Sequence, residues 1–155
     1  MMYRLEDPML YPSVAAFLRA GISWRWKNFT PAELACSCKG RLCGSAAHGG
    51  NYFHDEDFLD KLQALRDLEG VPLRLTSAHR CPRRNKEVGG ARESRHLTIA
   101  ADISLEGRTK AQRLRLLENA RKVGFTGIGK ANAFLHVDTR PKRTEWVYKG
   151  AEASW

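Results

Sequence analysis

The chain lacks a long apolar run. In its 155 residues no stretch approaches the roughly 20 apolar residues that a membrane-spanning helix requires, so we predict no membrane span. The first ten residues, MMYRLEDPML, contain acidic groups and no apolar core of a secretion signal. Internal repeats, low-complexity segments and linkers are also missing. These absences predict one domain over residues 1–155, made in the cytoplasm and kept there unless another agent releases it.

Acidic residues are fewer than basic ones, and aromatic residues are not concentrated beside the basic ones. Lys and Arg number 26 against 17 Asp and Glu, which gives a net charge of +9, and aromatic residues make up 9% of the chain. Such a charge favours a polyanionic partner: nucleic acid, anionic lipid or an acidic cell wall. The basic residues are spread along the chain without a basic tail and without interleaved aromatic residues, so we expect no nucleic-acid partner. A soluble surface that is simply basic is the competing interpretation.

Hydrophobic periodicity predicts an α+β fold. Helices are expected over residues 13–19, from Thr30 onward, and over residues 55–68 and 109–123. Strands are expected over residues 71–76, 100–105, 125–129 and 134–139, with an edge strand over 144–148. The polar segment between them, residues 78–95, is expected to hold one helical turn near residues 85–88. Strands that follow one another with interspersed helices favour a small antiparallel sheet with flanking helices.

Two polar pairs interrupt otherwise apolar strands. His96 precedes a strand that carries Asp102, and His136 and Asp138 stand two apart on a later strand, so their side chains share one face. Burying a carboxylate without a partner is costly, and a metal ion supplies that partner. Two imidazoles and one carboxylate form an open zinc site, which activates water for amide hydrolysis. The competing interpretation is an exposed His96 and an Asp102 that caps a turn.

Several short segments together resemble one enzyme family. They are TSAHRCP (76–82), Asn85, VGGA (88–91), SRHL (94–97), AADI (100–103), FTGIG (125–129) and FLHVDT (134–139), with NFTPAELAC (28–36) and FLDKL (58–62) upstream. Their combination resembles the M15 zinc peptidases, which are D-alanyl-D-alanine carboxypeptidases with endopeptidase and phage-lysin relatives, and the upstream segments are similar to the phage-type subgroup. The resemblance implies a hedgehog/D,D-peptidase fold with a family-like core over residues 28–140 and an N-terminal extension, residues 1–27, packed on it.

The resemblance also implies roles for individual side chains. The ligands of one catalytic Zn²⁺ would be His96, Asp102 and His136. Arg80, with Ser77 beside it, would bind substrate, because a guanidinium holds a carboxylate bidentately or stabilises an oxyanion; a merely solvated arginine is the alternative. Asp138 would orient or deprotonate the attacking water, or fix an imidazole from behind.

The sequence departs from the family pattern in two places. The connection between His96 and Asp102 is one residue shorter, because the usual glycine between residues 98 and 99 is missing. A slip of one residue on a strand turns a side chain to the other face, so the loop must absorb the deletion if Asp102 is to point inward. Ala133 stands where many members carry an acidic general base, which leaves Asp138 as the candidate for acid–base chemistry.

Four cysteines form a separate group of candidates. Cys36, Cys38 and Cys43 lie in one loop rich in Gly and Ser, and Cys81 follows Arg80 directly. They allow a second, structural zinc site, two disulfides, or neither, because the spacing is not a clean pair of CxxC motifs. A cytoplasmic chain favours reduced thiols. A link from Cys81 to the loop would brace the wall beside Arg80.

Residues and resemblance together predict a zinc-dependent peptidoglycan peptidase of D,D-carboxypeptidase or endopeptidase (endolysin) type. Its partners would be bacterial peptidoglycan and the anionic cell-wall surface, and we expect a monomer. The resemblance implies a protein without a signal peptide that acts on the wall after release in phage lysis, or as part of a virion. Two alternatives stay open: a catalytically degenerate member that binds the wall or a protein, and a basic nucleic-acid binder with a four-cysteine zinc.

Overall fold

The structure is a computed structural model that describes residues 8–44 and 46–155, so residues 1–7 of the predicted N-terminal extension lie outside it. The helices that it describes are α1 (Val14–Arg19), α2 (Pro31–Leu34), α3 (Glu56–Glu69), α4 (Pro82–Glu87) and α5 (Lys110–Lys122). The strands are β1 (Met9–Tyr11), β2 (Tyr52–His54), β3 (Leu75–Ser77), β4 (Ala101–Ser104), β5 (Gly127–Lys130), β6 (Phe134–Asp138) and β7 (Thr144–Val147). This element content confirms the α+β fold class.

The strands form two sheets. β1 pairs with β2 in a small antiparallel sheet, and the other five strands follow the order β3-β4-β6-β5-β7. The predicted hairpin of β5 and β6 and the predicted edge strand are both present. The small antiparallel sheet of the prediction is present as β1 and β2, and the larger sheet is mixed, because β7 runs parallel to β5. The end of β6 lies beside the start of β5, where Asp138 is opposite Gly127. The short connection after β6 brings the start of β7 to the other side of the same residue, where Thr144 is opposite Gly127, and β7 therefore runs in the direction of β5.

Local signals explain where the helices begin and end. Thr30 and Glu33 form a reciprocal capping box at the start of α2, as their spacing predicts. Asp55 caps α3, because its side chain accepts a hydrogen bond from the backbone N–H of Phe58. Gly70 ends that helix in the left-handed conformation, at φ 68°, which a residue with a Cβ adopts only at a cost.

The hydrophobic core lies between the helices and one face of the larger sheet. Its fully buried members include Phe58, Leu62 and Leu65 of α3, Leu116 of α5, and Ile103, Leu135 and Val137 of the central strands. Phe17 and Trp26 belong to the same cluster, so both side chains pack into the core formed by the helices and the larger sheet. The opposite face of the central strands is left for polar side chains. In the described part of the chain, no helix is both long and apolar enough to cross a membrane.

Two predicted elements are displaced. The strand expected over residues 71–76 is wrong in its first half, where Pro72 offers no backbone N–H and Val71 is exposed, and pairing begins only at Leu75. The helical turn expected near residues 85–88 is α4, which begins earlier. Cys81 caps that helix by accepting a hydrogen bond from the N–H of Arg84, and proline occupies the first helical position.

Candidate metal centre

The polar face of the two central strands holds the candidate metal ligands. Asp102 on β4 lies directly opposite His136 on β6, so both side chains emerge on the same face of the sheet. Asp138 shares that face, while Leu135 and Val137 are fully buried on the other side, as the alternation predicts. His96 comes from a short 3-10 turn, Arg95–Leu97, that covers this face.

Three donor atoms converge above the sheet. Nε2 of His96 lies 3.1 Å from Oδ1 of Asp102. Nδ1 of His136 lies 3.0 Å from the same oxygen and 3.2 Å from Nε2 of His96. The three residues are almost completely buried, at 3%, 5% and 4% exposure for His96, Asp102 and His136. The structure therefore brings together the three residues that the family resemblance implies as ligands.

Hydrogen bonds on the outer side of each ring determine which imidazole nitrogen is free. Nδ1 of His96 lies 2.6 Å from the carbonyl oxygen of Ala78, which can only accept, so this nitrogen carries the proton. Nε2 of His136 lies 2.7 Å from Oδ2 of Asp138 and carries the proton for the same reason. The free nitrogens thus face each other and the Asp102 carboxylate. Such a group of lone pairs requires a cation between its members, either a proton or a metal ion.

This donor set fits zinc. Two imidazole nitrogens and one carboxylate oxygen are the protein ligands of an open tetrahedral zinc site, with bonds of about 2.0 to 2.2 Å. Tetrahedral ligands at that distance are separated by about 3.3 Å, close to the 3.0 to 3.2 Å that separates the three atoms here.

The titration properties follow from the same contacts. Burial alone would raise the pKa of Asp102, but hydrogen bonds with His136 and His96 outweigh it and hold that pKa well below its usual range. Burial alone would lower the pKa of His136, but its bonds to Asp102 and Asp138 outweigh burial and raise it. Asp102 is therefore ionised at neutral pH, as a metal ligand must be.

The shortened connection does not turn Asp102 away. Residues 98–100 link the His96 turn to β4, and Ile99 and Ala100 are buried in the link. The loop before the strand accommodates the one-residue deletion, and Asp102 therefore keeps its place opposite His136. The one-residue slip that would turn the carboxylate outward is absent.

Asp138 lies behind His136 rather than among the converging donor atoms. Its Oδ2 accepts from His136, and its Oδ1 accepts from the backbone N–H and Nε of Arg140 at 3.0 and 2.9 Å. Burial would raise its pKa, but the bonds with Arg140 and His136 outweigh burial and lower it well below the usual range. Of the roles expected for Asp138, these contacts favour fixing the imidazole of His136.

Arg80 lies beside the donor atoms. Its guanidinium donates to Oγ of Ser77 at 3.0 Å and to Oδ1 of Asn85 at 3.2 Å, and it approaches Oδ2 of Asp102 to 3.5 Å. The Arg80 side chain is 14% exposed, and burial lowers its pKa. Ser77 therefore contributes to the site indirectly, because its hydroxyl group holds the guanidinium of Arg80 in place.

A cleft of about 560 Å³ opens onto these residues. Its lining includes the aromatic side chains of Phe134 on β6, Trp146 on β7 and Tyr148 just after β7, together with Arg95 and Arg140. Trp146 packs against His136 with ring centroids 5.4 Å apart, and Arg140 lies 4.6 Å above the Trp146 ring. Sequence reasoning missed Trp146, Tyr148 and Arg140 as site residues. The signal available was the alternation of two aromatic residues on the predicted edge strand.

The four cysteines also come together. Their Sγ atoms all lie within 4.8 Å of one another, and none is in a disulfide. Cys81 stands next to Arg80, so this cluster adjoins the wall of the cleft. The cysteine cluster (Cys36, Cys38, Cys43 and Cys81) is thus distinct from the histidine site (His96, Asp102 and His136).

A buried donor set of two imidazoles and a carboxylate, open to a cleft, is the arrangement of a zinc hydrolase. The sequence profile of the Peptidase M15 family matches residues 27–138. The chain therefore belongs to the M15 peptidases, which are zinc-dependent metallopeptidases, and the resemblance to that family is confirmed. Comparison with curated proteins found no match.

Proposed function

We propose that the protein is a zinc-dependent peptidase that cleaves amide bonds in the peptides of bacterial peptidoglycan, acting as a monomer. The histidine site would hold the ion, and zinc bound there supplies a Lewis acid that activates water and polarises the peptide carbonyl. The observation that carries the proposal is the convergence of three donor atoms, two imidazole nitrogens and one carboxylate oxygen, in a cleft whose lining includes the half-buried Arg80.

Arg80 gives the cleft a preference for a carboxylate. Its guanidinium is held by Ser77 and Asn85, so little side-chain entropy is lost when it binds an anion. Wall peptides present carboxylates at their C-terminal D-alanine and on their acidic residue, and either can make a bidentate contact. The cleft is also lined by Arg95 and Arg140, and the net charge of +9 favours retention on an anionic wall.

The other site residues prepare this geometry. Asp138 fixes the ring of His136 and keeps its proton on Nε2, so that Nδ1 stays free. Arg140 neutralises Asp138 from the other side. Trp146 closes one flank of the His136 ring and excludes water from it. We propose that this hydrolysis takes place on the wall, after release of the protein in phage lysis or as part of a virion.

A binding module is the second candidate. Ala133 occupies the position of the family's acidic base, and Asp138 faces away from the converging donor atoms. A member of the fold without an acid–base residue would hold wall peptides in the cleft and release no product. This candidate shares the histidine site and differs only in chemistry.

The deciding experiment incubates the purified protein with peptidoglycan, with and without a chelator, and identifies released fragments by mass. The proposal expects soluble peptides that disappear with chelator and return with zinc. His96→Ala should contain one zinc ion fewer per chain than the wild type, and it should release no soluble peptides. The control His48→Ala changes an exposed histidine and should alter neither. Wall binding without release would instead establish the binding module, and release that survives chelation would contradict zinc dependence.

A further inference from the structure

The cysteine cluster has the geometry of a metal site. Three of its sulfurs come from the loop of residues 36–43 and the fourth from the start of α4. Sγ of Cys38 lies 3.2 Å from Sγ of Cys43, and all four sulfurs lie within 4.8 Å of one another. Cys36, Cys38 and Cys81 are buried and Cys43 is half-buried. Together they form a small cluster apart from the main hydrophobic core.

Backbone N–H groups point at the sulfur atoms. The N–H of Cys81 donates to Sγ of Cys36 at 3.3 Å, and the N–H of Asn51 donates to Sγ of Cys43 at 3.4 Å. The N–H of Arg84 donates to Sγ of Cys81 at 3.4 Å. A buried thiol that serves only as an apolar filler needs no such donors. Several amides directed at one group of sulfurs stabilise negative charge there, which is what thiolate ligands carry.

We propose that Cys36, Cys38, Cys43 and Cys81 bind a structural Zn²⁺. With Zn–S bonds of about 2.3 Å, the sulfurs of a tetrahedral site are about 3.8 Å apart, which lies within the 4.8 Å limit that they satisfy here. Four thiolates select zinc over hard cations such as Mg²⁺ and Ca²⁺. The site is closed, because all four ligands come from the protein, and so it is structural rather than catalytic.

The ion would fix the wall of the cleft. The segment of residues 79–81 is held by three backbone bonds: His79 N–H to the carbonyl of Leu34 at 3.1 Å, Arg80 N–H to the carbonyl of His96 at 2.6 Å, and the Cys81 bond to sulfur. Zinc would tie Cys81 to the loop that carries the other three cysteines. Arg80 then stands between two anchored neighbours, and the guanidinium keeps its position beside Asp102.

The proposal is tested by counting zinc in protein purified under reducing conditions, using elemental analysis. Wild type should contain two zinc ions per chain, and Cys43→Ser should contain one. His96→Ala should also contain one, lost from the other site. Ser37→Ala, which changes an exposed neighbour of the cluster, should keep two. These counts do not depend on enzymatic activity, so the proposed function and this inference fail separately.

Cobalt replacement identifies which site is filled. Co²⁺ bound by thiolates shows an intense sulfur-to-metal absorption band in the near ultraviolet. The band should appear in wild type and in His96→Ala and be missing from Cys43→Ser. A thiol reagent should find four protected thiols in wild type and four reactive ones after chelation, a measurement that needs no variant. One zinc per chain in wild type, retained by Cys43→Ser, would overturn the proposal, as would disulfides in the zinc-loaded protein.

Discussion

The hydrogen bond from His136 to Asp138 offers a sharp test of the histidine site. Asp138 is 1% exposed, accepts from Nε2 of His136 at 2.7 Å and pairs with Arg140. Asp138→Asn preserves the shape of the side chain and removes its charge. An amide can also turn its NH₂ toward Nε2, which would move the imidazole proton to Nδ1, the nitrogen that must be free to bind a metal.

The expected cost is large enough to measure. Loss of a carboxylate partner behind a ligating histidine weakens metal binding by about 10- to 100-fold, or about 1.4 to 2.8 kcal/mol. We therefore expect the zinc dissociation constant of the histidine site to rise by that factor in Asp138→Asn. Most of the wall hydrolysis should return when zinc is saturating. Affinity is measured by competition with a chromophoric chelator, and hydrolysis by release of soluble peptides.

Glu69→Gln is the matched control. Glu69 is also a buried carboxylate, paired with Arg108 at 2.8 Å and with Asn119 at 2.8 Å, but it lies in the interface of α3 and α5. Its variant should lower thermal stability and leave zinc affinity unchanged. An Asp138→Asn protein that binds zinc normally and is inactive at saturating zinc would refute the reasoning, because Asp138 would then be the residue that transfers the proton.

Three further variants test other parts of the fold and site. Gly127→Ala should lower zinc affinity and the melting temperature together, because its methyl group would overlap the carboxylate of Asp138; normal values for both in a metal titration and a thermal scan would contradict this. Trp146→Ala should raise KM for wall peptides by about 10-fold through loss of a flank of the cleft, with zinc content unchanged; an unchanged KM would remove this residue from the substrate site. Burial lowers the pKa of His54 in the folded protein. As the pH falls, His54 is therefore protonated in the unfolded chain before it is protonated in the folded one. Stability is therefore full above the unfolded pKa of about 6.5 and is lost as pH falls below it. His54→Gln should flatten that loss in urea unfolding at pH 7.5 and 5.5, and an equally steep loss would contradict the assignment.

Much of the histidine site was predictable from short-range pattern. The alternation of His136 and Asp138 with two apolar residues places both polar side chains on one face of a strand, and the structure shows that arrangement. The caps at Thr30 and Gly70 are equally local, since each depends on a few neighbouring residues.

Other features depend on contacts between distant segments, which pattern does not encode. The parallel pairing of β7 follows from where the chain returns after β6, and it is this pairing that brings Trp146 beside His136. The choice of free nitrogen on His96 depends on the carbonyl of Ala78, eighteen residues away. The position of Asp138 behind His136 likewise depends on the hydrogen bond that the side chain of Arg140 donates to it.

One short segment connects the two candidate metal sites. The carbonyl of Ala78 orients His96, the N–H of Arg80 binds the carbonyl of the same histidine, and the N–H of Cys81 binds the sulfur of Cys36. A change in the position of these residues therefore affects His96, the proposed zinc ligand, and the guanidinium of Arg80, the proposed substrate-binding group. Filling the cysteine cluster would restrict this segment before substrate arrives. The cleft wall would then lose its conformational entropy when the protein folds and binds zinc, and not when the substrate binds. Substrate binding would have a smaller entropic cost, and in this way a structural metal raises the affinity of a neighbouring site.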